Sequence, residues 1–228
     1  MIVLIDRIGA RGDGIVDTDD GPVYIRDALP GERVRIGRAR MRLNGTHVSS
    51  RDILVSSPAR VMPDCAHYDL CGGCAAQHMG HDLYARWKRN LVWTVLRRAG
   101  LKAEVLPPIS VSPGTRRRVR MAFHASRDMT ILGFRESASK RIVDVDFCTV
   151  ATRRIVGLLS SLREFLPRFG RTGEVSVVDA QTGLDVVVFS QDEPDLDVRM
   201  DAQKFCTEAG ITRLSWAGRD GLPEPILV

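Results

Sequence analysis

The reading of this chain turns on the stretch Cys65-Ala66-His67-Tyr68-Asp69-Leu70-Cys71-Gly72-Gly73-Cys74. Its C-x5-C-x2-C spacing puts three soft thiolates on one short loop, and Gly72 and Gly73 let the backbone curl so that successive sulfurs can face a common centre. A fourth cysteine, Cys148, completes the ligand number used by cubane iron–sulfur clusters and by structural zinc. Zinc fingers alternate two short ligand pairs, whereas here three ligands are local and one is remote. The spacing therefore points to a [4Fe-4S] cluster on Cys65, Cys71, Cys74 and Cys148. Zinc on the same thiols, or buried or disulfide-linked thiols, are the competing readings. His67 and His78 flank the cysteines, but a loop histidine more commonly hydrogen-bonds water or backbone than ligates. Cys206, beside Phe205 in a helical stretch, reads as a small core residue.

Composition narrows the partner. The chain has 228 residues, of which 44% are hydrophobic and 27% charged, enough for a sizeable core in one to three small domains. Its formal charge is +5, and the excess is mostly arginine, whose planar fork suits phosphate, so nucleic acid leads among possible partners. Five cysteines are an odd number for a secreted disulfide framework, and a thiolate-bound cluster needs a reducing compartment. The apolar run at the N-terminus, Met1 to Ile5, is too short for a signal peptide or membrane span. A cytoplasmic protein with no membrane partner is expected.

Residues 1–60 read as a small β-barrel, with short apolar alternations cut by turns at Gly12-Asp13-Gly14, Asp19-Asp20-Gly21 and Pro30-Gly31. Around Gly37 the arginines change parity: Arg33 and Arg35 precede it, and Arg38, Arg40 and Arg42 follow it. One extra residue at Gly37, a β-bulge, would keep all five on one face. Such a stripe is either an RNA contact or the solvated outer face of a half-buried strand. The segments Ile8-Gly9-Ala10-Arg11-Gly12-Asp13-Gly14 and Ala28-Leu29-Pro30-Gly31-Glu32-Arg33-Val34 resemble a TRAM domain, an OB-like RNA-binding barrel of RNA-modifying enzymes. That resemblance implies a five-stranded barrel over the first quarter of the chain.

Leu83, Trp87, Leu91 and Val95 recur at helical spacing ahead of Gly100, so residues 61–108 read as the cysteine loop followed by an amphipathic helix. Arg116, Arg118 and Arg120 share one face of a strand that forms a hairpin with Thr130 to Glu136, and the run Arg141 to Phe147 then leads to Cys148. Ile155, Leu158, Leu159, Leu162 and Phe165 predict a second amphipathic helix. Two strands around Gln181-Thr182-Gly183, a short helix near 201–209 and a strand at 211–216 complete residues 109–228. The expected class is α+β, with a small antiparallel sheet backed by helices.

The three loop cysteines, Arg117-Arg118-Val119-Arg120, Leu132-Gly133-Phe134-Arg135 and Val143-Asp144-Val145-Asp146-Phe147-Cys148, taken in order, are similar to bacterial S-adenosylmethionine-dependent RNA (uracil-5-)-methyltransferases. The likeness is nearest to the branch that modifies 23S ribosomal RNA and carries a [4Fe-4S] cluster. It implies RNA as substrate and S-adenosylmethionine as cofactor of the full-length enzyme, and the two arginine faces, Arg33, Arg35, Arg38, Arg40 and Arg42 with Arg116, Arg118 and Arg120, are the expected RNA contacts. The family's glycine-rich donor turn, Asp-Pro-Pro-Arg segment and Ser-Cys-Asn nucleophile segment have no counterpart here. The expectation is therefore a chain truncated before a Rossmann-like methyltransferase domain, with no catalytic residue assigned and no activity alone, and a separate polypeptide carrying the missing domain is a candidate partner. Alternatives are a non-catalytic RNA-binding iron–sulfur or zinc protein, and a tRNA-directed member of the same family.

Overall fold

Short apolar runs between tight turns build strands of two to six residues in the first part of the chain. They are β1 (Ile2–Leu4), β2 (Arg7–Ile8), β3 (Gly14–Thr18), β4 (Gly21–Arg26), β5 (Arg33–Arg35), β6 (Thr46–His47) and β7 (Ile53–Val55). The structure is a computed structural model and describes residues 1–19, 21–37, 46–47, 52–137, 139–218 and 221–227. It divides into two units, Met1–Asp69 with Cys74–Ser110 and Leu70–Gly73 with Val111–Val228.

In the first unit the strands form two sheets, ordered β1-β5-β7 and β2-β3-β4-β6, instead of the expected single five-stranded barrel. The reason lies at Ile5-Asp6. The Ile5 amide donates to the Glu32 carbonyl at 2.9 Å and the Asp6 amide to the Ile15 carbonyl at 3.0 Å, so the run 2–8 changes sheets between these two residues. A small apolar core of Val3, Ile5, Val16, Ile25, Ala28, Val34 and Ile36 lies within this unit. Pro30-Gly31 occupies the centre of a type II turn: Gly31 has φ +82°, and the Glu32 amide donates to the Leu29 carbonyl at 3.1 Å.

That turn delivers Glu32 to a fully buried position. Its carboxylate accepts from the Leu29 amide at 2.8 Å, the Ser57 amide at 3.2 Å, and Arg60 Nε and Nη2 at 2.5 and 2.8 Å. Burial alone would raise the Glu32 carboxyl, but the Arg60 and backbone hydrogen bonds outweigh it and hold the group below its ordinary value. Helix α1 (His81–Arg98) belongs to the same unit and buries none of its residues fully; Trp87 Nε1 donates to the Gly9 carbonyl at 2.9 Å.

The second unit carries one sheet of seven strands: β8 (Arg118–Ala125), β9 (Thr130–Arg135), β10 (Ile142–Asp144), β11 (Thr172–Ala180), β12 (Gly183–Ser190), β13 (Ile211–Ala217) and β14 (Glu224–Leu227). Their order is β10-β9-β8-β11-β12-β13-β14. The sheet is mixed. Between β12 and β13 runs α3 (Leu196–Ala209), and a helical crossover returns the chain parallel to the strand it left. This β-α-β crossover is the unit that Rossmann-like folds repeat, and it corrects the expectation of a small antiparallel sheet. The chain's last strand, β14, takes an edge position of the sheet, where Pro225 is tolerated.

Helix α2 (Arg153–Phe165), the 3-10 turn Leu166–Phe169 and α3 cover one face of the sheet. The five apolar residues expected on α2 are the ones it buries, against Val119, Met121, Phe123, Val175, Val177, Val186 and Val188. The alternate residues of the same strands, among them Arg118, Arg120, Glu174 and Phe189, stand on the opposite face.

Candidate nucleic-acid interface and cysteine loop

Tyr68 anchors the middle of the cysteine loop in the first unit. Its hydroxyl is 2.9 Å from Asp27 Oδ1 and 2.6 Å from His78 Nδ1. With one hydrogen to give, Tyr68 donates to the carboxylate, which makes His78 Nδ1–H the donor to the Tyr68 oxygen and leaves the buried Nε2 as a bare acceptor. Burial pushes the His78 imidazole down to about 4, against the opposing pull of Asp27, and raises the Tyr68 phenol far above its usual range. His78, expected as an ordinary loop histidine, is thus a neutral core residue. Beyond it the backbone pairs with the preceding segment, the Val61 amide donating to the His78 carbonyl at 3.0 Å and the Gly80 amide to the Ala59 carbonyl at 2.7 Å.

In the second unit Cys71 is buried and bridges Glu136 in antiparallel fashion. Gly72 is required by close approach: its amide donates to the Arg135 carbonyl at 2.9 Å, and a Cβ there would sit 2.8 Å from that oxygen. The Gly73 amide points at Cys71 Sγ, 3.4 Å away. The segment before Cys148 is pinned by Arg163 of α2, which donates to Asp144 Oδ1 at 2.9 Å and the Val145 carbonyl at 2.9 Å and pairs with Asp146 Oδ1 at 3.0 Å. Asp144 loses solvation there, yet bonds from the Leu132 amide and Arg163 keep its carboxyl below the ordinary value.

Cys65 and Cys74 belong to the first unit, Cys71 and Cys148 to the second. None of the five cysteines is in a disulfide. Among the described residues no group of three or more His, Cys, Asp or Glu side chains is gathered as a metal site. Cys206 is buried on α3, where loss of solvation pushes its thiol up to about 11, unsuited to nucleophilic chemistry.

The arginines fall into distinct environments. Arg33 and Arg35 flank buried Val34 and are exposed on β5; Arg38, Arg40 and Arg42, with the expected bulge around Gly37, lie outside the described residues. Arg116 is exposed and bridges Ala151, while Arg118 and Arg120 are exposed on β8. Arg117, between them, is structural: its Nε donates to the Asp179 carbonyl at 2.7 Å. Arg120 is held by Glu174 of β11, Nε to Oε2 at 2.7 Å, and its guanidinium carbon lies over the Phe189 ring, 4.2 Å from the centroid. Glu174 Oε1 accepts from Arg135 Nη2 at 3.1 Å. Burial would raise the Glu174 carboxyl, but Arg135 and Arg120 hold it low. These groups border an open groove of about 470 Å³, whose lining includes His124, Lys140 and Gln191. Glu174, Arg135 and Phe189 were not foreseen as site residues, because only strand register brings them beside Arg120.

No family model matches the chain. Its homologues are RNA methyltransferases. It is 35% identical to an uncharacterized RNA methyltransferase of Rhizobium meliloti, over 95% of this chain and 53% of that protein. It is 34% identical to an uncharacterized RNA methyltransferase of Caulobacter vibrioides, over 98% of this chain and 56% of that protein. It is 35% identical to the 23S rRNA (uracil(1939)-C(5))-methyltransferase RlmD of Chromohalobacter salexigens, over 95% and 46%. The chain thus spans about half the length of the curated relatives it matches. Among solved structures, the Pyrococcus abyssi tRNA (uracil-54, C5)-methyltransferase in complex with S-adenosyl-L-homocysteine matches 98% of this chain and 52% of its own, with a TM-score of 0.64 at 21% identity. That likeness, with the mixed seven-stranded sheet, overturns the expected fold class of a small antiparallel sheet. The expected separate methyltransferase polypeptide gains no support from these relatives. Among the described residues no helix is long and apolar enough to cross a membrane.

Proposed function

We propose that this chain acts in S-adenosylmethionine-dependent methylation of a uracil C5 in RNA, with 23S ribosomal RNA as substrate and the cytoplasm as its place of work. The observation that carries the reading is the 35% identity, over 95% of the chain, to an enzyme named for uracil-C5 methylation of 23S rRNA. In this chemistry a nucleophile adds to C6 of the uracil, C5 takes the methyl group as S-adenosylhomocysteine leaves, and a base removes the C5 proton so that the nucleophile can be expelled. No residue of this chain is assigned to those steps. The roles proposed here are RNA recognition by the exposed Arg33, Arg35, Arg116, Arg118 and Arg120, with Arg38, Arg40 and Arg42 joining them on sequence grounds, their positive charge drawing in the polyanion.

Cys65, Cys71, Cys74 and Cys148 are proposed to hold a [4Fe-4S] cluster. The donor set fits: four soft thiols outside disulfides, three of them within ten residues of sequence. A bound cluster would supply a structural tether between stretches about 70 residues apart in sequence, coupling ligation to folding. Protein purified without oxygen should carry about four irons per chain and a brown absorbance that Cys71→Ser or Cys148→Ser removes. Stoichiometric zinc without iron would defeat the assignment. Transfer of tritiated methyl from S-adenosylmethionine to unmodified 23S RNA tests the activity. Methylation of tRNA in place of 23S RNA would move the substrate to the other branch, and binding of neither RNA would end the reading.

A further inference from the structure

The groove on the face of the seven-stranded sheet opposite α2 and α3 has a construction that phosphate contact alone does not require. Arg120 spends its Nε on Glu174 and holds its guanidinium carbon over the Phe189 ring, so a cation and an aromatic ring meet at the groove. Glu174 uses its other oxygen to hold Arg135, which also donates Nη1 to the Lys140 carbonyl at 3.1 Å. One carboxylate therefore fixes two arginines, each with about half its side chain still exposed, at 58% and 49%. With Lys140 among the lining residues, three cations face one anion.

We propose that this groove binds one unpaired nucleobase of an RNA strand, stacked on the Arg120 guanidinium with Phe189 behind it, while Arg135 and Lys140 take the neighbouring phosphates. The proposal rests on the RNA reading above and adds a site and a strand state to it. Guanidinium planes and aromatic rings are the platforms on which splayed-out bases stack, whereas bases within a duplex have their faces occupied by neighbours. Charge complementarity favours a polyanion, since Arg120, Arg135 and Lys140 outnumber Glu174 at the groove. The groove volume, about 470 Å³, admits a base with its ribose and phosphate.

The test uses fluorescence anisotropy of the whole chain with a labelled single-stranded oligouridylate and with a duplex of the same length. Arg120→Lys keeps the charge and removes the plane. It should weaken single-strand binding roughly tenfold and leave duplex binding and the salt slope unchanged. Phe189→Leu should act in the same direction, with thermal melting run alongside to show that it folds. Arg135→Ala should instead reduce the salt slope by about 0.7. Equal loss of single-strand and duplex binding in Arg120→Lys would make Arg120 a plain phosphate contact and overturn the proposal. So would wild-type affinity in both Arg120→Lys and Phe189→Leu while the unaltered chain still binds RNA. Failure of the unaltered chain to bind either RNA would instead remove the RNA reading itself.

Discussion

The two units are held by different physics. The second buries a continuous apolar core between its sheet and α2 and α3, with Leu162, Phe169, Val175, Val186 and Leu214 at or near zero exposure. The first has a much smaller apolar core and adds charge and hydrogen bonds to it: Glu32 with Arg60 on one side, Asp27, Tyr68 and His78 on the other. Apolar burial is non-directional and tolerant of small shifts, whereas a buried carboxylate depends on every one of its donors. The first unit should therefore fail sharply when a single polar partner is lost or a proton is added, and the second should fail by loss of volume.

The largest expected effect comes from breaking each core by its own weakness. Glu32→Ala leaves Arg60 without its carboxylate and two backbone amides unsatisfied, and should destabilise the first unit by about 3–5 kcal/mol. Leu162→Ala leaves a cavity under the sheet and should destabilise the second by about 2–5 kcal/mol. Hydrogen exchange read peptide by peptide should localise each loss to its own unit. A Glu32→Ala chain whose first-unit peptides keep full protection would show that the polar network is dispensable.

Acid should sharpen the contrast without any mutation. His78 is buried neutral, its imidazole lowered from 6.5 to about 4. Between those values the unfolded chain binds a proton that the folded chain refuses, so stability is full above about pH 6.5 and falls by about 3 kcal/mol by pH 4. Glu32 works in the same direction at lower pH. Its lowered carboxyl gives a contribution that is present above the unfolded value and is lost as pH falls through the folded one. Both groups belong to the first unit, so its amides should lose protection before those of the second as pH drops from 7 to 4. His78→Gln should remove the part of that loss that lies between pH 6.5 and 4. Simultaneous loss in both units would contradict the assignment of these groups.

What the sequence made legible follows the same division. The apolar period of α2 stated its buried face in full, because a helix repeat records burial along one element. The hairpin turn around Gln181-Thr182-Gly183 and the strand from Arg118 were equally readable. Glu32 was not: Pro30-Gly31-Glu32 announces a turn, but nothing local says that its carboxylate will meet Arg60. The groove was half legible, since the arginine alternation marked a basic face while Glu174 and Phe189 join it only through the register of β8, β11 and β12. The start of α3 was missed despite a readable signal, Asp195, whose side chain accepts from the Val198 amide at 2.9 Å.

The smallest expected effect isolates environment from chemistry. Arg168 and Asp201 form an ion pair in the second unit with the same groups that join Arg60 and Glu32 in the first, but their side chains are 48% and 49% exposed, against 20% and 0%. Water and salt screen the exposed pair, and holding two long side chains together costs rotamer freedom. A double-mutant cycle on Arg168→Ala and Asp201→Ala should therefore return a coupling of at most about 1 kcal/mol that shrinks further in 1 M salt. The matching cycle on Arg60→Ala and Glu32→Ala should return a larger coupling with little salt dependence, because the Glu32 carboxylate is buried beyond the reach of counterions. Equal couplings with equal salt dependence would mean that burial does not separate the two pairs, and the contrast between the units would then rest on their apolar cores alone.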